Sequence, residues 1–161
     1  MTARRPGGLL RIVAAAAALQ LGGAAGGMAQ APASPSAAPS ILGYWQGRSI
    51  CVKAPWNAAC NDEAVLYHFV PSADQPGQVL LNAFKYVNGA PEPMYDLAFA
   101  WDSTHRQWAA RYSNSRVHIL WSYTVVATAL TGRLEDLPDN RLVRNVSATF
   151  VADSADLFPK P

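Results

Sequence analysis

Leu42-Gly43-Tyr44-Trp45-Gln46-Gly47-Arg48-Ser49-Ile50-Cys51, with Cys60-Asn61-Asp62-Glu63 a short way beyond it, is the stretch on which the fold turns. Strand alternation puts Trp45, Gly47, Ser49 and Cys51 on one face and Tyr44, Gln46, Arg48 and Ile50 on the other. Small residues beside a tryptophan suit a tightly curved strand, because glycine relieves crowding and permits a bend. If Trp45 faces the interior, Arg48 is a solvated charge. If the Tyr44 face is interior, Arg48 is a buried cation that needs a partner. The chain has only two cysteines, and a Cys51–Cys60 bond would close the loop Ala54-Pro55-Trp56-Asn57-Ala58-Ala59. Chain entropy makes so short a closure worth roughly 2–3 kcal/mol. The spacing is wrong for a C-x-x-C redox pair, and no histidine lies at a metal-site interval.

Working outward toward the N-terminus, residues 1–29 have the parts of an export signal. Arg4, Arg5 and Arg11 make a basic start, residues 9–21 are apolar and Ala-rich, and Gly27-Met28-Ala29 offers a cleavage site. The apolar run is short for a bilayer span, so no membrane span is expected in the mature form. The expected location is the periplasm or the extracellular space, where a disulfide persists. The Ala/Pro/Ser-rich lead-in, residues 30–40, reads as disordered or extended. Residues 41–158 remain as one domain, large enough to bury a single core.

The whole chain carries 13 Lys+Arg against 11 Asp+Glu. Three of those arginines and no acid belong to the signal, which leaves 10 against 11. The mature domain therefore gives no charge-based reason to bind nucleic acid or an anionic membrane.

Working outward toward the C-terminus, alternation and turn residues predict further strands over 63–70, 78–87, 95–101, 107–112, 118–126, 128–134 and 142–151. Asn88-Gly89, with Pro91 and Pro93, reads as a break before the fourth strand. Eight short strands and no convincing helix predict an all-β fold. The expected form is an eight-stranded antiparallel up-and-down barrel, with a β-sandwich as the alternative.

Gly43-x-Trp45 at the head of the first strand resembles the G-x-W signature of the lipocalins and the wider calycin group. The resemblance implies a lipocalin-like barrel in which the tryptophan plugs one end. It also implies that a basic residue of the last strand packs across the indole, with Arg144 as first candidate and Arg141 as second. A cation over an indole face contributes about 0.5–2 kcal/mol. Small exported barrels of this kind include ligand binders and protease inhibitors, so the resemblance implies a fold more than a function.

Catalytic patterns are weak. There is no G-x-S-x-G. His68, His105 and His118 are scattered, so no metal site is expected and no cofactor is implied. Asp62 and Glu63 are adjacent and point to opposite faces of a strand, which prevents paired acid–base work. They are expected to cap the cysteine loop or to meet an arginine. The protein is therefore not expected to be an enzyme.

The aromatic set says more. Tyr95, Trp101, Trp108, Tyr112, Trp121 and Tyr123, with Tyr67, fall in phase on their strands. Either they fill a narrow barrel, or they line an apolar pocket with hydroxyl and indole donors. The first outcome suits a protein-interaction or inhibitor module, with Trp56 presented to a partner on its disulfide-held loop. The second suits a binder of a small apolar or aromatic ligand. A void in the interior decides between them.

Overall fold

The period-2 alternation resolves into eight strands in the computed structural model, which describes residues 37–152. They are β1 (Gly43–Cys51), β2 (Glu63–Pro71), β3 (Gln78–Val87), β4 (Ala90–Asp102), β5 (Gln107–Ser113), β6 (His118–Val126), β7 (Ala129–Asp136) and β8 (Arg141–Ala152). Each pairs antiparallel with the next, and β8 returns to β1, so the sheet closes into a barrel. Closure leaves no second sheet for a sandwich. Among the described residues the only helical turn is a 3-10 turn at Pro55–Asn57. The expected signal and residues 153–158 of the expected domain lie outside the described residues.

The Trp45 face is interior. Trp45 and Ser49 are buried, whereas Gln46 and Arg48 are exposed. Two glycines are required by close approach. A Cβ on Gly47 would lie 2.0 Å from the Ser147 carbonyl oxygen, so the absence of a side chain lets β8 press against β1. A Cβ on Gly132 would lie 2.3 Å from the Tyr123 ring, which occupies the space that glycine leaves open. Cys51 and Cys60 form the expected disulfide. Asp62 accepts the Cys51 backbone N–H at 2.9 Å and so ties the far side of the loop back to β1.

Two sequence expectations are corrected. The fourth strand begins at Ala90, not at residue 95, and contains both prolines. The Asn88-Gly89 pair, with φ of 52° and 84°, makes a tight hairpin instead of a break. Proline is tolerated because this part of β4 pairs only with β3. β4 and β5 share just three partner pairs, Ala100↔Ala109, Trp101↔Trp108 and Asp102↔Gln107, and no ladder beyond them. Just before β1, the Pro39 carbonyl accepts a hydrogen bond from Trp108 and Ile41 is fully buried, so this short stretch lies over one barrel end.

Candidate functional site

The two ends of the barrel are finished differently. At the end where β1 begins, Ile41, Trp45, Phe69, Phe99, Trp108 and Leu130 belong to one buried cluster. Gly43, at φ 103°, turns the chain so that the Ile41 carbonyl accepts the Trp45 indole N–H at 2.8 Å. That conformation is open to glycine and costly for other residues, which gives the glycine of the G-x-W pattern a physical reason. This end is packed shut.

At the other end, where β1 finishes and β2, β4, β6 and β8 begin, the barrel holds a cavity of about 510 Å³. That volume lies within the range of about 300–1,000 Å³ usual for small-molecule sites. Its apolar wall is Met94, Leu97, Ile119, Trp121 and Leu134, and Tyr112 stands at the rim. Tyr95 stacks on Trp121 at 6.2 Å, and Trp121 on Tyr123 at 5.9 Å, so roughly parallel rings form one side. Tyr123 lies beneath, fully buried against Tyr67, Phe69 and Phe99.

Two β-bulges shape this end. Ala83 pairs with Tyr95 and Phe84 with Pro93, so Met94 is the extra residue. Leu134 pairs with Arg144 and Glu135 with Leu142, so Val143 is the extra residue. Each bulge re-aims the side chains near the opening, as bulges beside binding sites commonly do. The missing ladder between β4 and β5 adds room, because both strands contribute lining residues.

One corner of the cavity is polar. The Arg144 guanidinium donates to Ser49 Oγ at 2.7 Å, to Glu63 Oε2 at 2.6 Å and to the Asn61 carbonyl at 2.6 Å. The Arg144 side chain is only 13% exposed and Glu63 26%, so this pair is shielded more than a surface ion pair. Tyr67, Tyr95 and Tyr123 bring their phenols to the same region. Burial pushes Tyr67 up to about 12. Burial, then the nearby Tyr67 phenol, pushes Tyr95 and Tyr123 well above their ordinary value. All three therefore stay protonated across the physiological range. The Tyr95 and Tyr123 hydroxyls are buried and make no hydrogen bond of normal geometry among the described residues; Tyr123 lies close enough to Tyr67 and Tyr95 for weak phenol–phenol hydrogen bonding.

Of the six aromatic residues expected to contact ligand, Tyr95, Tyr112 and Trp121 line the cavity and Tyr123 lies under it. Trp101 and Trp108 do not belong there. They pair at 5.7 Å toward the closed end, where β4 finishes and β5 starts, because their strands have crossed the barrel by those positions. The expected packing of Arg144 over Trp45 is also corrected. Trp45 pairs with Phe150, whose ring meets the indole edge-on at 5.3 Å, whereas Arg144 pairs with Cys51 at the opposite end. Arg141 does cap an indole, but that of Trp56, at 5.5 Å. Glu63 meets an arginine as expected, and Asp62 serves the loop. Sequence reading missed Ser49, Glu63, Met94, Leu97, Ile119 and Leu134 as cavity residues. Strand phase marks most of them as inward, but only the register says which end they occupy.

Other chemistry is sparse. Ser113 hydrogen-bonds His118 on an exposed hairpin, and no carboxylate bonds that histidine among the described residues. His105 pairs with Asp102 in a turn, and His68 stacks on Tyr44 on the outer wall. Among the described residues there is no cluster suited to a metal ion and no helix long and apolar enough to cross a membrane. Comparison with protein-family models and with curated proteins gives no match.

Proposed function

We propose that this chain is an exported, lipocalin-like barrel that binds one small apolar or aromatic ligand in its open mouth and does no chemistry on it. The observation that carries this reading is the asymmetry of the interior. One end is packed shut, and the other keeps a cavity of ligand size walled by Trp121, Tyr95, Leu97 and Leu134. The formed disulfide accords with an oxidising compartment. Support for a binding role over a catalytic one is that the Ser113–His118 pair sits on an exposed hairpin and has no carboxylate bonded to it among the described residues.

The test is a titration with N-phenyl-1-naphthylamine, a neutral aromatic probe, read by quenching of tryptophan fluorescence. Saturable one-to-one binding that is lost in Leu134→Trp, a substitution that fills the cavity, supports the reading. Absence of binding, or binding unchanged in that variant, sinks it. Native mass spectrometry of protein from its own host then identifies what is retained.

The alternative is a protein-interaction module working through the disulfide loop. Trp56 favours it: the side chain is 45% exposed, on a loop tied by the disulfide, with Arg141 over its ring. Tryptophan and arginine are enriched at interface hot spots. A photo-crosslinking residue at position 56, in cells of the host, distinguishes this reading by yielding one defined adduct or none.

A further inference from the structure

Hydroxyl groups buried without a partner are costly, and barrel interiors rarely keep them. Here two lie side by side. The Tyr95 ring forms part of the cavity wall, and its hydroxyl is buried and unpartnered. The Tyr123 hydroxyl just beneath is in the same state. Neither ring needs its oxygen for packing, since phenylalanine would make the same stacks with Trp121. By hydrogen-bond geometry neither hydroxyl has a partner among the described residues, and the polar groups nearest to them are each other and the Tyr67 phenol.

The charges of that corner restrict what can use them. Three of the five Arg144 N–H groups are committed to Ser49, Glu63 and Asn61, and the Glu63 carboxylate balances its charge at 2.6 Å. An anionic ligand would meet Glu63 and gain no free cation. A hydrocarbon would leave both hydroxyls unpaired. A neutral acceptor meets neither penalty. Apart from Asp96, a second carboxylate that disfavours an anion, apolar residues and stacked rings enclose the rest of the cavity, which suits a flat conjugated body.

We propose that the ligand is an uncharged, planar aromatic molecule carrying a carbonyl-type acceptor, which enters acceptor-first and takes the hydrogen bond of the Tyr95 hydroxyl, with Tyr123 behind it. This rests on the reading of the mouth as a ligand site and names the chemistry of that ligand. The phenols remain protonated donors at neutral pH because burial holds their proton on. The arrangement also explains why the hydroxyls stay although they do nothing for the empty barrel: groups that weaken the apo fold are retained when binding uses them.

The experiment compares 2-acetylnaphthalene, 2-ethylnaphthalene and 2-naphthoate, molecules of nearly one shape, by quenching of tryptophan fluorescence in the full mature protein. The acetyl compound is expected to bind about tenfold tighter than the ethyl compound, the advantage of a satisfied over an unsatisfied hydroxyl. The carboxylate is expected to bind weaker than the acetyl compound. In Tyr95→Phe the ratio of acetyl to ethyl affinity should fall to about one, and the variant should melt no lower than the parent. A purely structural role for Tyr95 would lower melting and both affinities together. Equal binding of acetyl and ethyl compounds overturns the inference and leaves the ligand-site reading standing. So does an acetyl preference that survives in Tyr95→Phe/Tyr123→Phe. Binding of none of the three overturns both.

Discussion

The closed end and the open mouth are built from the same kinds of residue, yet they differ in who satisfies the polar atoms. At the closed end two indole N–H groups, of Trp45 and Trp108, donate to the carbonyls of Ile41 and Pro39. The chain brings its own preceding segment across the opening and uses it as a plug. Trp101 is the exception there, with a buried indole N–H that finds no partner. At the mouth no segment crosses among the described residues. Two phenols lack a partner of normal geometry, and the partly shielded Arg144 is held by a carboxylate and by the disulfide loop. The difference teaches that aromatic content alone does not say where a barrel binds. The useful observable is whether the aromatic donors are already spoken for.

The comparison is broken most forcefully at Trp45, which is 2% exposed, meets Phe150 and hydrogen-bonds Ile41. Trp45→Ala should cost about 3–5 kcal/mol of stability, as large aromatic truncations in cores do. Guanidinium unfolding followed by circular dichroism measures it. A loss below about 1 kcal/mol would mean that the plug is not what holds this end. Arg144→Ala acts on the other end. It strands the partly shielded Glu63 and should cost about 1–3 kcal/mol, less than a fully buried pair because both groups keep some contact with water. Glu63→Gln in the Arg144→Ala background should recover part of that loss. The same Arg144→Ala change should leave the environment of Trp45 unaltered. Retention of the Trp45 indole N–H resonance in an NMR spectrum checks this, and a large shift would restore the Arg144–Trp45 contact that the register denies.

Much of the barrel was legible. Alternation marks the inward face of β1, β4 and β6 through Trp45, Tyr95, Phe99, Trp121 and Tyr123, because a half-buried strand has no other way to satisfy its two sides. The disulfide was legible because only two cysteines exist. The start of β4 was not. Pro91 and Pro93 argue against a strand unless one knows that its second edge is unpaired, which is a property of the β4–β5 splay and not of the local sequence. The position of Arg144 was hidden for a related reason. Strand phase says in or out, but height in the barrel depends on register and on the bulge at Val143. Trp101 and Trp108 were placed with the ligand set because phase cannot distinguish the two ends.

Alkaline pH sharpens the contrast at smaller cost to the molecule. Burial pushes Tyr67 up to about 12 from an ordinary value of 10.0, and it also raises Tyr95 and Tyr123 well above theirs. Folding therefore holds protons that the unfolded chain releases above about pH 10, so stability is intact below that pH and falls as pH rises from about 10 toward 12. Absorbance at 295 nm should show these three phenols missing from the titration of the folded protein, then appearing together as it unfolds. Ionisation of all tyrosines below pH 11 in a protein still folded by circular dichroism would mean that water reaches the floor of the cavity. The interior of the closed end should be silent in this experiment, because its donors are indoles that do not titrate; Tyr44, raised by burial, titrates from the outer wall there.

The smallest effect is the most pointed. Tyr123→Phe removes a hydroxyl that is fully buried and has no hydrogen-bond partner, and it keeps the ring that fills the space over Gly132. A partnered buried hydroxyl would cost stability when removed. An orphan one should give about 1 kcal/mol back, because the desolvation penalty goes with it. Trp45→Phe makes the converse change at the closed end. It deletes an indole N–H that is satisfied by Ile41, so it loses a hydrogen bond as well as ring volume and should destabilise. Opposite signs for two aromatic-to-phenylalanine changes, read as midpoints of chemical unfolding, would place the unused polar atoms at the mouth. The same sign for both would mean that the Tyr123 hydroxyl is satisfied in solution, by water or by its neighbouring phenols, and that the two ends differ in shape alone.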